Sequence, residues 1–295
     1  VRTPISALAL VDPPTLEAAL AALDADPGLV PMAGCTDLYV ALNAGVPPGT
    51  RFLNLWRLDE LRGIKEAGGC LRLGALATCT DILTSPLVAR WLPMLVQAAR
   101  VIGGVQVRSR ATIGGNVANA SPAGDTLPVL AAADAVVVLR SAAGERRVPF
   151  ASFYTGYRAT VRQGNELIVA LEVPPVAGRQ WFRKVGTRAA QAISKVVMAA
   201  VRAPAPRIAL GSVAPTVVRA RGAERVLAAG GSIADAQAAL EADIAPIDDF
   251  RSTAAYRRAV CARLLARFWK ETAPGAGDEP DAWPARGEPG ARLDP

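Results

Sequence analysis

Residues 106–125 read QVRSRATIGGNVANASPAGD, and within them Thr112-Ile113-Gly114-Gly115-Asn116 is a glycine-containing turn placed after an apolar segment. A second turn of the same kind, Ala33-Gly34-Cys35-Thr36-Asp37, follows the apolar run from Leu29 to Ala33. Glycine has no Cβ, so backbone amides beside it can come close to a phosphate, and successive amides in such turns make an anion-binding concavity. Thr36, Thr112 and Asn116 can add side-chain donors, and together the two turns can hold a pyrophosphate from two sides without a lysine. Taken alone, either turn reads better as an ordinary turn at a sheet edge. Neither fits G-x-G-x-x-G or G-x-x-x-x-G-K-[ST], so a Rossmann dinucleotide site and a P-loop are unsupported.

Working outward, Thr15 is the N-cap of a predicted helix with Glu17 in its first turn and Leu16, Leu20 and Leu23 on one face, stopped by Pro27-Gly28. Leu29 to Ala33 predicts a short strand, and a second helical or mixed segment precedes Phe52-Leu53-Asn54-Leu55. Two short strands between Ile64 and Leu73 flank Gly68-Gly69, a composition that favours a tight hairpin turn. A further helix is predicted over roughly Pro86 to Ile102, and Ala135 to Arg140 is expected to pair with Arg146 to Val148 across Ala143-Gly144. Strands interleaved with helices but turned by hairpins predict an α+β N-terminal half, not a doubly wound parallel sheet.

A composition change at Pro174-Pro175 marks a boundary. Beyond it the sequence predicts strands at Trp181 to Gly186, Ala192 to Arg202 and Arg207 to Val213, then two helical stretches. The last of these carries Tyr256, Val260, Leu264 and Phe268 at four-residue spacing behind a Thr253 cap. From Pro274 the chain is dense in Pro, Gly and charge and predicts a mobile tail. The expected organisation is a domain over 1–175 with subdomains of about 1–55 and 56–175, a C-terminal domain over 176–273, and a tail over 274–295.

Composition narrows the chemistry. With 51% hydrophobic residues among 295, the chain can bury a real core and divides more naturally into two domains than one. It has no run of eighteen apolar residues, and its opening VRTPISALAL lacks the basic leader and apolar stretch of an export signal, so a cytoplasmic location is expected. Cys35, Cys70, Cys79 and Cys261 are dispersed, without C-x-x-C and without any histidine, which predicts reduced thiols and no zinc or iron-sulfur site. The lack of histidine also excludes triad hydrolysis and removes the histidyl attachment point for covalent flavin. The net charge of +7 is mostly arginine in an Arg- and Ala-rich chain, with no basic tract interleaved with aromatics; a solvated surface or an acidic partner explains it better than nucleic acid.

The run from Gln106 to Asp125 closely resembles the long flavin-contacting segment of the FAD-binding subunits of molybdenum hydroxylases, the xanthine and carbon monoxide dehydrogenase flavoprotein family. Other segments agree in order and spacing. Ala33 to Leu38 looks like the family's first FAD loop, Gly74-Ala75-Leu76-Ala77-Thr78 like the strand that follows, and Asn165-Glu166-Leu167-Ile168 like the strand closing the domain. Phe182 to Arg188, with Ile193-Ser194-Lys195-Val196, resembles the start of the family's C-terminal domain, so the likeness covers nearly the whole chain. Cys35 stands where the first loop usually has its second glycine, and Ser109 where an asparagine is common after the arginine.

The resemblance implies an α+β, two-subdomain FAD-binding fold of the PCMH type, holding an extended, noncovalent FAD, followed by a smaller α+β domain with antiparallel strands and helices. By the same resemblance Pro31, Met32, Ala33, Gly34, Cys35, Thr36, Asp37 and Leu38, with Thr112, Ile113, Gly114, Gly115 and Asn116, wrap the diphosphate and ribityl regions. Ile102, Asp125, Ile168 and Lys184 match further flavin-contact positions. Asp125 either accepts from ribityl or adenosine hydroxyls or caps the helix starting near Thr126, and the resemblance favours the ligand. Lys184 can place a cation near the flavin pyrimidine edge, stabilising the reduced ring, or, as an isolated lysine on a strand, face solvent. Tyr154 and Tyr157 can stack near the isoalloxazine or belong to the core, and Arg108 and Arg110 can meet a phosphate, an acidic partner or only solvent.

The function so implied is electron transfer within a heteromeric complex. A large molybdenum-pterin subunit would hydroxylate the substrate, a small subunit with two [2Fe-2S] clusters would relay electrons, and this chain would pass them through FAD to NAD+ or another acceptor. A dimer of heterotrimers is the expected assembly. The alternatives are a stand-alone FAD-dependent reductase or oxidase of the same fold and, from a different class, a basic nucleic-acid adaptor without flavin.

Overall fold

The computed structural model describes residues 7–188 and 191–275. The Thr15 hydroxyl accepts from the Ala18 amide and starts the helix Leu16–Ala25, which buries Leu16, Ala19, Leu20 and Leu23. That helix and the short helix Leu38–Asn43 connect three strands, Ala9–Val11, Val30–Met32 and Arg51–Asn54, whose order places the last in the middle with both pairings parallel. The expectation of hairpins therefore fails in this first subdomain. Parallel neighbours need a crossover, and each of the two connections here contains a helix.

Hairpins do build the second sheet. Its five antiparallel strands run in the order Ile64–Ala67, Cys70–Gly74, Leu167–Val173, Val136–Ser141 and Gly144–Pro149. Gly68 and Gly69 both have positive φ, 58° and 74°, the left-handed conformation that a two-residue hairpin of this twist demands at both positions. The central strand Leu167–Val173 is buried on both faces: Leu167, Val169 and Ala170 pack towards the first subdomain, while Ile168, Leu171 and Val173 pack towards the helices of the second. A register shift between Ile168 and Ala170 lets consecutive residues Val169 and Ala170 serve the same core.

Three segments differ from their sequence-based expectation. Pro86 to Ile102 is two helices, Pro86–Trp91 and Pro93–Arg100, because Pro93 lacks the amide needed to continue the first and instead starts the second. Gly74 to Thr78 is a turn leaving the strand Cys70–Gly74, with only Thr78 bridged to Thr112. Beyond the sheet of the C-terminal region there are three helices, Arg221–Ala228, Ile233–Asp243 and Ala254–Glu271, where two were expected. Thr253 does cap the last, but Tyr256 is exposed and the buried stripe begins at Arg257 and Val260.

The C-terminal strands Arg179–Val185, Val196–Arg202, Arg207–Gly211 and Val218–Arg219 form an antiparallel sheet covered on both faces. Val197, Ala199 and Val201 point into the core of the second subdomain, and Val196, Met198 and Ala200 into the core made with the three helices. The strand alternation thus makes this sheet a shared wall between the N- and C-terminal regions. Among the described residues no helix is long and apolar enough to cross a membrane, and no group of three metal-ligating side chains occurs. The expected tail over 274–295 lies, from residue 276, outside the described residues.

Candidate functional site

The segment Ala111–Gly114 is carried by the turn at Ala75–Cys79. The amides of Ile113 and Gly114 donate to the carbonyls of Ala77 and Ala75, and the Cys79 amide donates to Ala111. Two of these bonds reach a turn that is itself tied to the central sheet by the Ala75 amide on the Val169 carbonyl. Thr112 then caps the helix Ile113–Asn119 by accepting from the Gly115 amide, so Thr112–Asn116 is a helix start and not a free turn. With the Asn116 amide bonded to the Thr112 carbonyl, the first-turn donors of this helix all have protein partners. Its far end is anchored by the Tyr154 hydroxyl, which donates to the Val117 carbonyl at 2.9 Å. Tyr154 packs edge-to-face on Phe150 and Phe153, and burial pushes its pKa up, which fixes it as a core donor. Tyr157 is exposed.

Gly34 and Gly114 also have a packing role that the sequence does not show. A Cβ on Gly34 would overlap the Arg110 carbonyl, and one on Gly114 would lie 2.7 Å from both Cβ and O of Ala75. Both residues are glycine because another stretch of chain passes directly over them. The Arg110 guanidinium lies 3.6 Å from the Trp56 ring centroid and Arg62 lies 4.6 Å from it, so the loop before Thr112 is held by stacked cations to the segment that follows the strand Arg51–Asn54. Arg108 instead donates to the carbonyls of Arg100 and Gly103, closing the end of helix Pro93–Arg100.

Between these loops lies a cleft of about 610 Å³, inside the roughly 300–1,000 Å³ typical of ligand sites. Pro31, Met32, Ala33, Gly34, Cys35, Thr36, Asp37 and Leu38 line it, as do Ile102, Thr112, Gly114, Gly115, Asn116 and Ile168. Ile113 does not; its side chain is buried in the core below. The free donors are in the first loop. The amides of Gly34, Cys35, Thr36 and Asp37 donate to no protein acceptor among the described residues. Cys35 holds φ at 63°, the left-handed conformation that turns successive amides into a nest, and this accounts for a glycine being usual there. Its thiol is pushed up by burial against the opposing pull of Arg110, which keeps it protonated at neutral pH.

Asp125 and Lys184 lie outside the cleft lining and face each other. Lys184 Nζ is 2.6 Å from Asp125 Oδ2, Ser194 donates to Oδ1, and Nζ also reaches the Val101 carbonyl at 3.4 Å. Burial pushes the Asp125 carboxyl up, while Lys184 and Ser194 act against it. The pair joins the N-terminal region to the C-terminal sheet next to Ile102, and within the chain each of the two residues expected at the flavin has the other as its partner. The sequence reading also missed Asn119, Arg158 and Arg162, which line the same cleft. Nothing distinguishes two more arginines in an arginine-rich chain until the fold brings them together.

The arrangement suits an elongated phosphate-bearing ligand: an unpaired amide run at one loop, a capped glycine-containing segment next to it, and apolar walls at Leu55, Leu61 and Leu76. Residues 6–176 match the family described as the FAD binding domain in molybdopterin dehydrogenase, and residues 181–272 match the CO dehydrogenase flavoprotein C-terminal domain. The carbon monoxide dehydrogenase medium chain of Hydrogenophaga pseudoflava is 35% identical over 73% of this chain and 79% of its own length. The glyceraldehyde dehydrogenase medium chain of Sulfolobus acidocaldarius is 32% identical over 88% and 96%. Among solved structures, the H. pseudoflava carbon monoxide dehydrogenase lacking the Mo-pyranopterin moiety superimposes with a TM-score of 0.85 at 29% identity, covering 92% of this chain and 100% of that one. The chain therefore belongs to the family of FAD-binding medium subunits of molybdenum hydroxylases.

Proposed function

We propose that this chain is the electron-transferring flavoprotein of a heteromeric molybdenum hydroxylase, working between a small [2Fe-2S] subunit and NAD+ or another acceptor, with substrate hydroxylation in a large molybdenum-pterin subunit. The observation that carries it is the run of unpaired amides from Gly34 to Asp37 opening into a cleft of the size a dinucleotide needs. FAD, when bound, supplies a centre that accepts electrons singly and delivers a hydride. The protein's own part is to bind and orient. The first-loop amides donate to diphosphate oxygens, Thr112 and Asn116 add polar groups, and Ile102 and Ile168 supply apolar surface for a ring. A dimer of heterotrimers remains the expected assembly.

The test is reconstitution. The purified chain should be yellow, release its flavin on acid precipitation, and fail to oxidise purines, carbon monoxide or N-heterocycles. With its large and small subunits it should be bleached anaerobically by the complex's substrate. Substrate-dependent bleaching of the single chain, free of molybdenum and iron, would instead make it a stand-alone flavoenzyme.

A further inference from the structure

The charge balance of the cleft is set by the segment 156–166, which contributes its lining cations, Arg158 and Arg162. The cleft has two lining carboxylates, Asp37 and Glu166. Glu166 is already neutralised by a fork of two bonds from Arg146, at 2.6 and 2.8 Å, and accepts from the Gln163 amide as well. Arg158 and Arg162 have no such partner. Among the described residues neither forms a salt bridge; Arg158 donates to the Asn119 side chain at 2.8 Å, and Arg162 to the carbonyls of Gln163 and Glu166. These neutral acceptors orient the guanidiniums, and the one carboxylate that Arg162 feels, Glu166, is itself forked by Arg146.

Each arginine is also held in place by the fold. Arg158 sits at the tip of the hairpin formed by Tyr154–Gly156 and Ala159–Thr160, with φ of 51°, a conformation that costs an L-residue about 1–2 kcal/mol. Asn119, its partner, ends the helix that Thr112 starts. Asn119 follows Asn116 by three residues, about 4.5 Å of helix rise, so Arg158 is fastened to the far end of the helix that Thr112 starts, along the same cleft. Arg162 is partly buried, and that burial pulls its pKa down against the opposing charge of Glu166.

We propose that Arg158 and Arg162 form the cationic part of the cofactor site and neutralise the two charges of the FAD diphosphate, which the first-loop amides meet only with partial charges. Guanidinium groups suit this because they bind phosphate oxygens in pairs and cannot lose their proton. This rests on the FAD reading above and extends it to residues that no glycine loop contains.

The experiment is titration of the flavin-free full-length chain with FAD and, separately, with riboflavin, which has the ring but no phosphate. Arg158→Gln and Arg162→Gln should each weaken FAD about tenfold, leave riboflavin affinity unchanged, and flatten the loss of FAD affinity with added salt. Arg162→Lys should restore most of the loss. The melting temperature of the flavin-free variants separates binding from folding, and Arg158→Gln carries the test alone if Arg162→Gln unfolds. Unchanged FAD affinity in Arg158→Gln, or an equal loss of riboflavin, overturns the proposal. Wild-type chain that binds no flavin at all overturns the FAD reading itself, a result distinct from either.

Discussion

Gly34 lies directly beneath the carbonyl of Arg110, so close that no side chain can be placed between them. This contact joins the two loops of the cleft: one member belongs to the first-loop amide run, the other to the stretch that enters Thr112. The glycine is required by chain passing over chain. Gly34→Ala must push the loops apart and should cost about 3 kcal/mol or more, in the range of overpacked or strained core sites. Thermal unfolding of the flavin-free protein measures this directly. A Gly34→Ala chain that melts like wild type but has lost flavin would return the glycine to a purely ligand-facing role.

Cys35 occupies a conformation made for glycine. With φ at 63° it carries left-handed strain, offset in part by the Sγ donation to the Ala33 carbonyl. Cys35→Gly should fold with stability within about 1 kcal/mol of wild type, since relief of strain opposes the added freedom of the unfolded chain. It should retain full flavin. Cys35→Val, whose branched Cβ tolerates this φ poorly, should lose flavin by at least an order of magnitude in affinity. Equal flavin content in both variants would show that the nest is not the binding element.

Much of this fold can be read from local chemistry. The Thr15 and Thr253 caps, the Gly68-Gly69 hairpin and the Val136–Ser141 pairing with Gly144–Pro149 each rest on residues near one another in sequence. The parallel pairing of Val30–Met32 with Arg51–Asn54 does not, because strands of three and four residues have too little periodicity to declare a partner. The same limit applies to the site. Glycine loops are visible as composition, whereas the Asp125–Lys184 pair spans 59 residues and the unpaired arginines acquire meaning only from their neighbours.

Glu166 gives the cleft an acid-sensitive wall. Its hydrogen bonds from Arg146 hold its carboxyl below the ordinary carboxylate range, with burial opposing and the Gln163 amide and Arg162 assisting. A depressed folded-state pKa contributes stability that is present above the unfolded value of about 4.3 and lost as pH falls through the folded one. Glu166→Gln should therefore lower stability by about 1–2 kcal/mol at neutral pH and have progressively less effect below pH 4. Melting temperatures between pH 3 and 7 check the sign; a deficit that grows towards acid would reverse it.

The buried pair of Lys184 and Asp125 distinguishes an architectural part from a ligand contact. Their side chains are 10% and 9% exposed, and they connect the C-terminal sheet to the segment following the cleft helix. Removing one charge strands the other, at about 3–5 kcal/mol, whereas removing both leaves no buried charge behind. Lys184→Met should thus be strongly destabilised without flavin, and Lys184→Met with Asp125→Asn should recover a large part of that loss. If the pair acts through architecture, flavin affinity should recover together with the melting temperature. A double variant that regains stability but still fails to bind FAD would mean that Lys184 or Asp125 also meets the cofactor itself.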